Sequence, residues 1–423
     1  MMRTLVTFLS IVALSVFAYA EQAQWPALRG PNFNGLIHEG NPPVEWSEDE
    51  NIRWKTPIPG AGHASPILWG DYLYVQTAVE IEEEGFFSDG KYQYKLLAVH
   101  RDNGEIAWEK TLCDAPPVEG THHRTATFAS NTGITDGEHL YAYFGSQGLY
   151  CLDFAGNLKW KKDLGDMTTR NSFGEGSSPA IQGSVMVVNW DHERDSFIVA
   201  LDTRSGEELW RRSRNEPSSW STPLIVEFAG KHQVIVSASN KTRSYDLETG
   251  LVVWECAGLG TNVIPTPLYR NGVVYVASGH RSPAMQAIRL DGAKGDISGT
   301  DAVLWSIDEN TPYVASPLLY GDRLFMTKSR NAILSCYDPA TGETLYGPQR
   351  LDGMGHVYSS LVGVDDQIYI SDLDGTTMVV KNSGQFEPLA TNVLDEGTAA
   401  SLIVAGDVIY LRGYQHLYCI SAN

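Results

Sequence analysis

Short apolar runs rich in Val, Ile, Leu and Tyr recur along the chain, each bounded by Gly, Asp, Asn or Ser. Runs this short, closed by turn residues, predict strands rather than helices. They come in sets of four. A set opens on a small residue, a proline and an aliphatic, as in Ser65-Pro66-Ile67. A Gly70-Asp71 pair suited to a tight hairpin follows, then Leu73-Tyr74-Val75. A third run, Leu97-Ala98-Val99, leads to Asn103-Gly104-Glu105, where glycine tolerates a positive φ, and the set ends on Trp108.

The phrase occurs eight times, with copies opening near Ser65, Gly133, Ser178, Thr222, Thr266, Ser316, Ser360 and Ser401. Four strands per copy at such a period predict an all-β chain, an eight-bladed β-propeller of four-stranded antiparallel blades. The eighth copy stops at Asn423 without a fourth strand. A spare one, Asn51-Ile52-Arg53-Trp54-Lys55, stands before the first copy. The N-terminal strand is therefore expected to join the last three and close the ring, which hides edges that would pair with other chains. Trp54, Trp108, Trp160, Trp210, Trp254 and Trp305 share one repeat position, where a large ring can fill the widening gap between blades.

A length of 423 residues would allow two or three ordinary domains, but the continuous repeat argues for one ring over residues 51–423. Residues 1–20 read as a signal peptide: Arg3, an apolar stretch from Leu5 to Phe17, and a small-x-small site at Ala18-Tyr19-Ala20. That stretch is too short to span a membrane, and no cysteine follows to carry a lipid. The expectation is a soluble, monomeric, exported protein, periplasmic or extracellular, beginning near Glu21. Residues 21–50 are loop-like and rich in Gly, Pro and aromatics. They read as a segment draped over the ring, the alternative being that Trp25 or Arg29 stands at the channel mouth.

The net charge of −20, with scattered basic residues, argues against nucleic acid or an anionic membrane as partner. Of the five cysteines, Cys151, Cys336 and Cys419 share a third-strand position and read as buried apolar sites, too far apart to bridge. Cys113 and Cys256 follow fourth strands, and a disulfide at Cys113 stays open in an oxidising compartment.

Strands of a propeller run alternately toward its two faces. The loop leading into each first strand and the loop joining the second and third strands therefore open on one face, where function is sought. The leading loops carry His63, the run Thr121-His122-His123-Arg124, Arg170-Asn171, Trp220, Asn262, Tyr313, His356 and Tyr358. The second-to-third loops carry Trp190-Asp191-His192, His280-Arg281, Lys328 with Arg330, Asp372 with Asp374, and Tyr414 with His416. Aromatic and polar groups converging on a concavity suit a small ligand or a peptide. Against this stands the plain reading that ring loops need polar groups to satisfy backbone and water. No HxxxH spacing marks a metal and no GxSxG a nucleophile, so no catalytic or metal residue is assigned. An acidic insertion, Val79 to Tyr92, reads as a solvated loop, with calcium as its alternative.

The repeat, as carried by Val199-Ala200-Leu201-Asp202, Ser205-Gly206-Glu207 and Trp210, resembles the pyrroloquinoline-quinone (PQQ)-type propeller family. The opening Trp25-Pro26, Arg29-Gly30-Pro31 and Gly35 resemble the start of exported members from planctomycete-type bacteria. The resemblance implies two branches. One is an outer-membrane assembly scaffold that binds partner proteins, and the other is the quinoprotein alcohol dehydrogenases, which hold PQQ and calcium. Many of the latter carry adjacent cysteines, absent here. The favoured reading is a non-catalytic exported propeller, without cofactor, binding an envelope or extracellular protein, a peptide or a small ligand on its loop face. The alternative is a PQQ-dependent oxidoreductase acting on an alcohol or sugar. Deleting residues 51–55 should destabilise the whole ring, and a deletion variant that melts like the parent would show another mode of closure.

Overall fold

In the computed structural model, residues 23–81, 90–122 and 125–422 are described. The expected signal peptide, the acidic insertion's Glu82, Glu83, Glu84, Phe86, Phe87 and Asp89, and the candidates His123 and Arg124 lie outside them. Eight antiparallel sheets form, each from one copy of the repeat. Blade 1 runs through Ile67–Trp69, Tyr72–Glu80, Tyr92–His100 and Ile106–Ala115. The last blade takes Ile403–Ala405, Val408–Arg412 and His416–Ser421 from the C-terminus and Ile52–Pro57 from the N-terminus. Trp54 stands opposite Cys419 in that closing pair. The ring is an eight-bladed propeller shut as its strand inventory required. Blade 4 departs from four strands: Gly295–Asp296, from the blade-5 insertion, adds a parallel strand beside Val252–Cys256.

Two repeated contacts join the blades. In the outer one, the fourth-strand tryptophan lies on the glycine of the next blade's last turn. Trp54 covers Gly104, Trp160 covers Gly206, Trp210 covers Gly250 and Trp305 covers Gly342. A Cβ on any of these glycines would stand 2.4–2.8 Å from its nearest neighbour, so the site excludes every side chain. The same four indoles donate Nε1–H to the carbonyls of Arg101, Thr203, Leu247 and Pro339, each three residues before its glycine. On its inner side the ring meets an aromatic of its own second strand: Tyr410 for Trp54, Tyr74 for Trp108, Tyr141 for Trp160, Tyr275 for Trp305.

The inner contact is a belt around the channel. The backbone N–H of Ser65 donates to the hydroxyl of Thr132, Thr132 to Ser178, and Ser178 to Thr222. Thr266 donates to Ser316, then Ser316 to Ser360, Ser360 to Ser401, and Ser401 back to Ser65. All seven bonds measure 2.8–3.1 Å. A buried N–H left without a partner costs about 1–3 kcal/mol, which explains why the small residue opening each copy carries a hydroxyl.

Blade 7 has no tryptophan to offer. Ala390 stands at the repeat position, opposite Val379, as Trp108 stands opposite Ala98. The segment before the ring supplies the missing ring: Trp46 stacks on Tyr369, centroids 6.2 Å apart and planes 18° off parallel. Its backbone N–H donates to Asn392 Oδ1, whose amide returns a bond to the Val44 carbonyl. Farther upstream, Trp25 exchanges two backbone hydrogen bonds with Leu68 of blade 1. Gly35 and Ile37 bond Gly363 of blade 7. Arg29, 3% exposed, donates to the carbonyls of Asn34 and Pro317. Burial pushes its pKa down to about 9. All five cysteines are free. No helix among the described residues is long and apolar enough to cross a membrane.

Trp46→Ala should lower unfolding stability by about 3 kcal/mol in urea titrations, as expected for truncating a buried indole. Adding Ala390→Trp should restore part of that loss by returning the ring to its repeat position. A Trp46→Ala variant as stable as the parent would remove Trp46 from the blade 7–8 junction.

Candidate functional site

Two residues before each hydroxyl of the belt, the chain turns inward. His63, Ser130, Gly176, Trp220, Ile264, Val314, Tyr358 and Ala399 occupy that place in the eight blades, and all eight line one axial cavity of about 290 Å³. The regular belt thus delivers one side chain per blade to a common point, whatever its type. Phe173, His122, His280, Tyr313 and Arg330 complete the wall. A wider opening of about 910 Å³ adjoins it and adds His356, Asp374 and Tyr414. A side cavity of about 360 Å³ is lined by Arg281, Lys328, His280, Tyr313 and Arg330. The leading loops and the second-to-third loops do share this face.

The candidates divide into two groups. His63, His122, Trp220, His280, Arg281, Tyr313, Lys328 and His356 come together around the channel mouth. Arg170 stands near them, its guanidinium 3.5 Å from Asn262 Oδ1. Trp190, Asp191 and His192 do not join them. Trp190 is buried against Phe197, rings stacked at 5.6 Å. His192 is buried and accepts a hydrogen bond from the Thr168 N–H at Nδ1. Asp191 holds Arg214 through two bonds of 2.7 and 3.0 Å, both side chains fully enclosed. Burial alone would lower the Arg214 pKa, but the Asp191 carboxylate outweighs it and raises it. Trp25 and Arg29 line none of the mouth cavities.

Stacking and burial shape the mouth's electrostatics. The His280 and Tyr313 rings lie 5.0 Å apart, the His63 and Tyr414 rings 5.5 Å, and His122 meets Phe173 edge-on at 5.7 Å. Burial pushes His63 down to about 4, against a backbone hydrogen bond at Thr125, so the ring is neutral at pH 7. Burial also lowers His280, and Arg281, Arg330 and Arg170 add to the effect. Among the described residues, no carboxylate lines the axial or the side cavity. Among the described residues, no group of three or more His, Cys, Asp or Glu side chains gathers as a metal would require.

Sequence reasoning named His63, Trp220 and Tyr358 for their chemistry and passed over Ser130, Gly176, Ile264, Val314 and Ala399. Aligning the copies on the belt residue and stepping back two places would have found all eight. It also passed over Glu175, which sits between the mouth-lining Gly174 and Gly176. Glu175 accepts hydrogen bonds from the Ser146 N–H and hydroxyl, yet burial holds its carboxyl up at about 7.

The family described as outer membrane protein assembly factor BamB matches residues 39–191 and 194–423. The protein of that name from Shewanella oneidensis is 24% identical over 195 residues, 46% of this chain and 45% of that one. The match therefore spans about half of that relative's length. BamB from Moraxella catarrhalis superposes with a TM-score of 0.55 at 15% identity, covering 82% of this chain and 99% of that one. A europium-containing methanol dehydrogenase superposes with a TM-score of 0.66 at 10% identity, covering 94% and 91%. Likeness at such identities shows the fold alone. These relatives carry the PQQ-like repeat and say nothing of a planctomycete-type origin.

Glu175 generates a pH prediction. Its folded pKa lies above the usual 4.5, so the group's contribution is fully present below pH 4.5 and lost as pH rises through about 7. Glu175→Gln should match the parent near pH 4.5 and exceed it above pH 7.5. The gain should be at most about 3 kcal/mol, less for the side chain's residual contact with solvent. A stability difference that stays constant across this range would overturn the assignment.

Proposed function

Because the chain belongs to the family of outer membrane protein assembly factor BamB, we propose that it is an exported, non-catalytic propeller that binds an envelope protein on its loop face. One observation carries the reading: every blade commits its position before the belt to one concavity, walled by Trp220, Phe173, Tyr313 and Tyr358. Rigid aromatics with adjacent polar groups are what anchors a partner's segment. The strands are spent on packing, and Asp191, His192 and Arg214 are spent on the blade 3–4 interior. The mature chain begins near Glu21, residues 21–50 serve as structural cover, and residues 51–423 form the binding ring. The relatives' printed role as assembly factors points to a partner within the envelope.

A photo-reactive phenylalanine analogue in place of Tyr313 or Tyr358, in cells making the full chain, should crosslink to one envelope protein identifiable by mass spectrometry. The same analogue at Leu158 or Leu209, exposed on the outer rim, should not. Adducts from the rim alone would overturn the reading. So would a bound quinone spectrum with dye reduction on an alcohol panel after adding PQQ and calcium to the purified protein.

A further inference from the structure

The mouth is charged against the grain of the chain. The molecule carries a net charge of −20. Yet the side cavity gathers Arg281, Lys328 and Arg330 from the second-to-third loops of blades 5 and 6, with no acid among the described residues of its wall. None of the three takes part in an ion pair or a side-chain hydrogen bond among the described residues. Other basic side chains are paired with acids: Arg243 with Glu216 and Glu255, Lys241 with Glu255 and Asp296, and Arg214 with Asp191.

The backbone adds a second observation. Arg281 sits at φ 59°, and Asn331 and Ala332, just after Arg330, at φ 67° and 40°. Left-handed conformations cost a residue with a Cβ about 1 kcal/mol, and glycine would be cheaper at Arg281. The loops hold strained turns that set the three cations around one space. His280 is held below its usual pKa by its burial and by Arg281, Arg330 and Arg170, so it faces the cavity neutral, as a hydrogen-bonding group beside the Tyr313 ring.

We propose that this side cavity is a carboxylate-binding subsite of the mouth, receiving the acidic groups of its ligand while the axial cavity takes an apolar or aromatic part. The inference rests on the loop face being the binding face. Two arginines and a lysine with unpaired charge match carboxylates, the arginine fork through paired hydrogen bonds. The two cavities share His280, Tyr313 and Arg330 in their walls and so lie side by side, within the span of a single ligand that enters both. The carboxylates can come from Asp and Glu of a peptide or from a small polycarboxylate.

The test uses the purified chain, a fluorescent peptide of alternating Glu and Asp with one Phe, and citrate as the small polycarboxylate. A Lys-Arg peptide of equal length is the control. Anisotropy or calorimetry should detect the acidic peptide, citrate or both, identifying the source, and no binding of the basic peptide. Affinity should fall about tenfold between 20 and 200 mM salt. Replacing Arg281, Lys328 and Arg330 with Ala together should weaken binding at least tenfold without changing the melting temperature. Arg204→Ala, on an outer turn, should have no effect. The subsite is refuted if neither probe binds at millimolar concentration, or if the triple variant binds as the parent does. Mouth crosslinks with no carboxylate binding would sink the subsite and leave the docking face, and the reverse result would separate them the other way.

Discussion

The structure depends on how one blade is fastened to the next. A four-stranded blade cannot bury both of its faces alone, so its core exists only against its neighbours. Two contacts set that geometry. At the outer radius an indole lies on a glycine too close for any Cβ and donates to the carbonyl three residues earlier. At the inner radius a hydroxyl caps the neighbour's N–H. One contact is apolar and wide, the other polar and narrow, and together they define both the spacing and the tilt of blades. The mouth inherits its shape from the inner contact, since its eight lining positions stand two residues from it.

How much of this could be read beforehand follows the same division. The eight blades, their strand order and the closing strand at Trp54 were legible because repetition amplifies weak local signals. The tryptophan's position between blades was legible from its bulk. The hydroxyl belt was not: Ser and Thr opening each copy passed for small residues, because the partner N–H belongs to another copy, 46 positions away for Ser178 and 44 for Thr222. Trp46 was missed for a related reason. It lies outside the repeat, so no alignment of copies connects it with the gap left by Ala390. The fifth strand of blade 4 is two residues long and pairs in parallel, which leaves no periodic trace.

For the site, chemistry-bearing residues were recognisable and their commitments were not. Asp191 and Arg281 look alike as charged residues in the second-to-third-strand connections of blades 3 and 5. One is enclosed with Arg214 at 2.7 Å, and the other stands at a cavity wall that holds no acid among the described residues. The difference depends on what approaches from another strand or blade, which spacing along the chain does not encode. Trp190 likewise reads as a mouth aromatic but turns inward onto Phe197. Loop membership located the face; burial sorted the side chains on it.

One junction breaks both fastenings. Between blades 4 and 5 no bond joins Thr222 to Thr266 among the described contacts; Ser221 bonds the Pro265 carbonyl instead. There Trp254 turns its Nε1–H to Gln233 of its own blade. The same junction carries the added parallel pairing of Trp254 with Gly295 and Glu255 with Asp296, locked outside by Lys241. A bracelet has one such place. The link with a different fastening is its clasp, and a ring whose inner belt has seven like bonds and one gap has a defined seam.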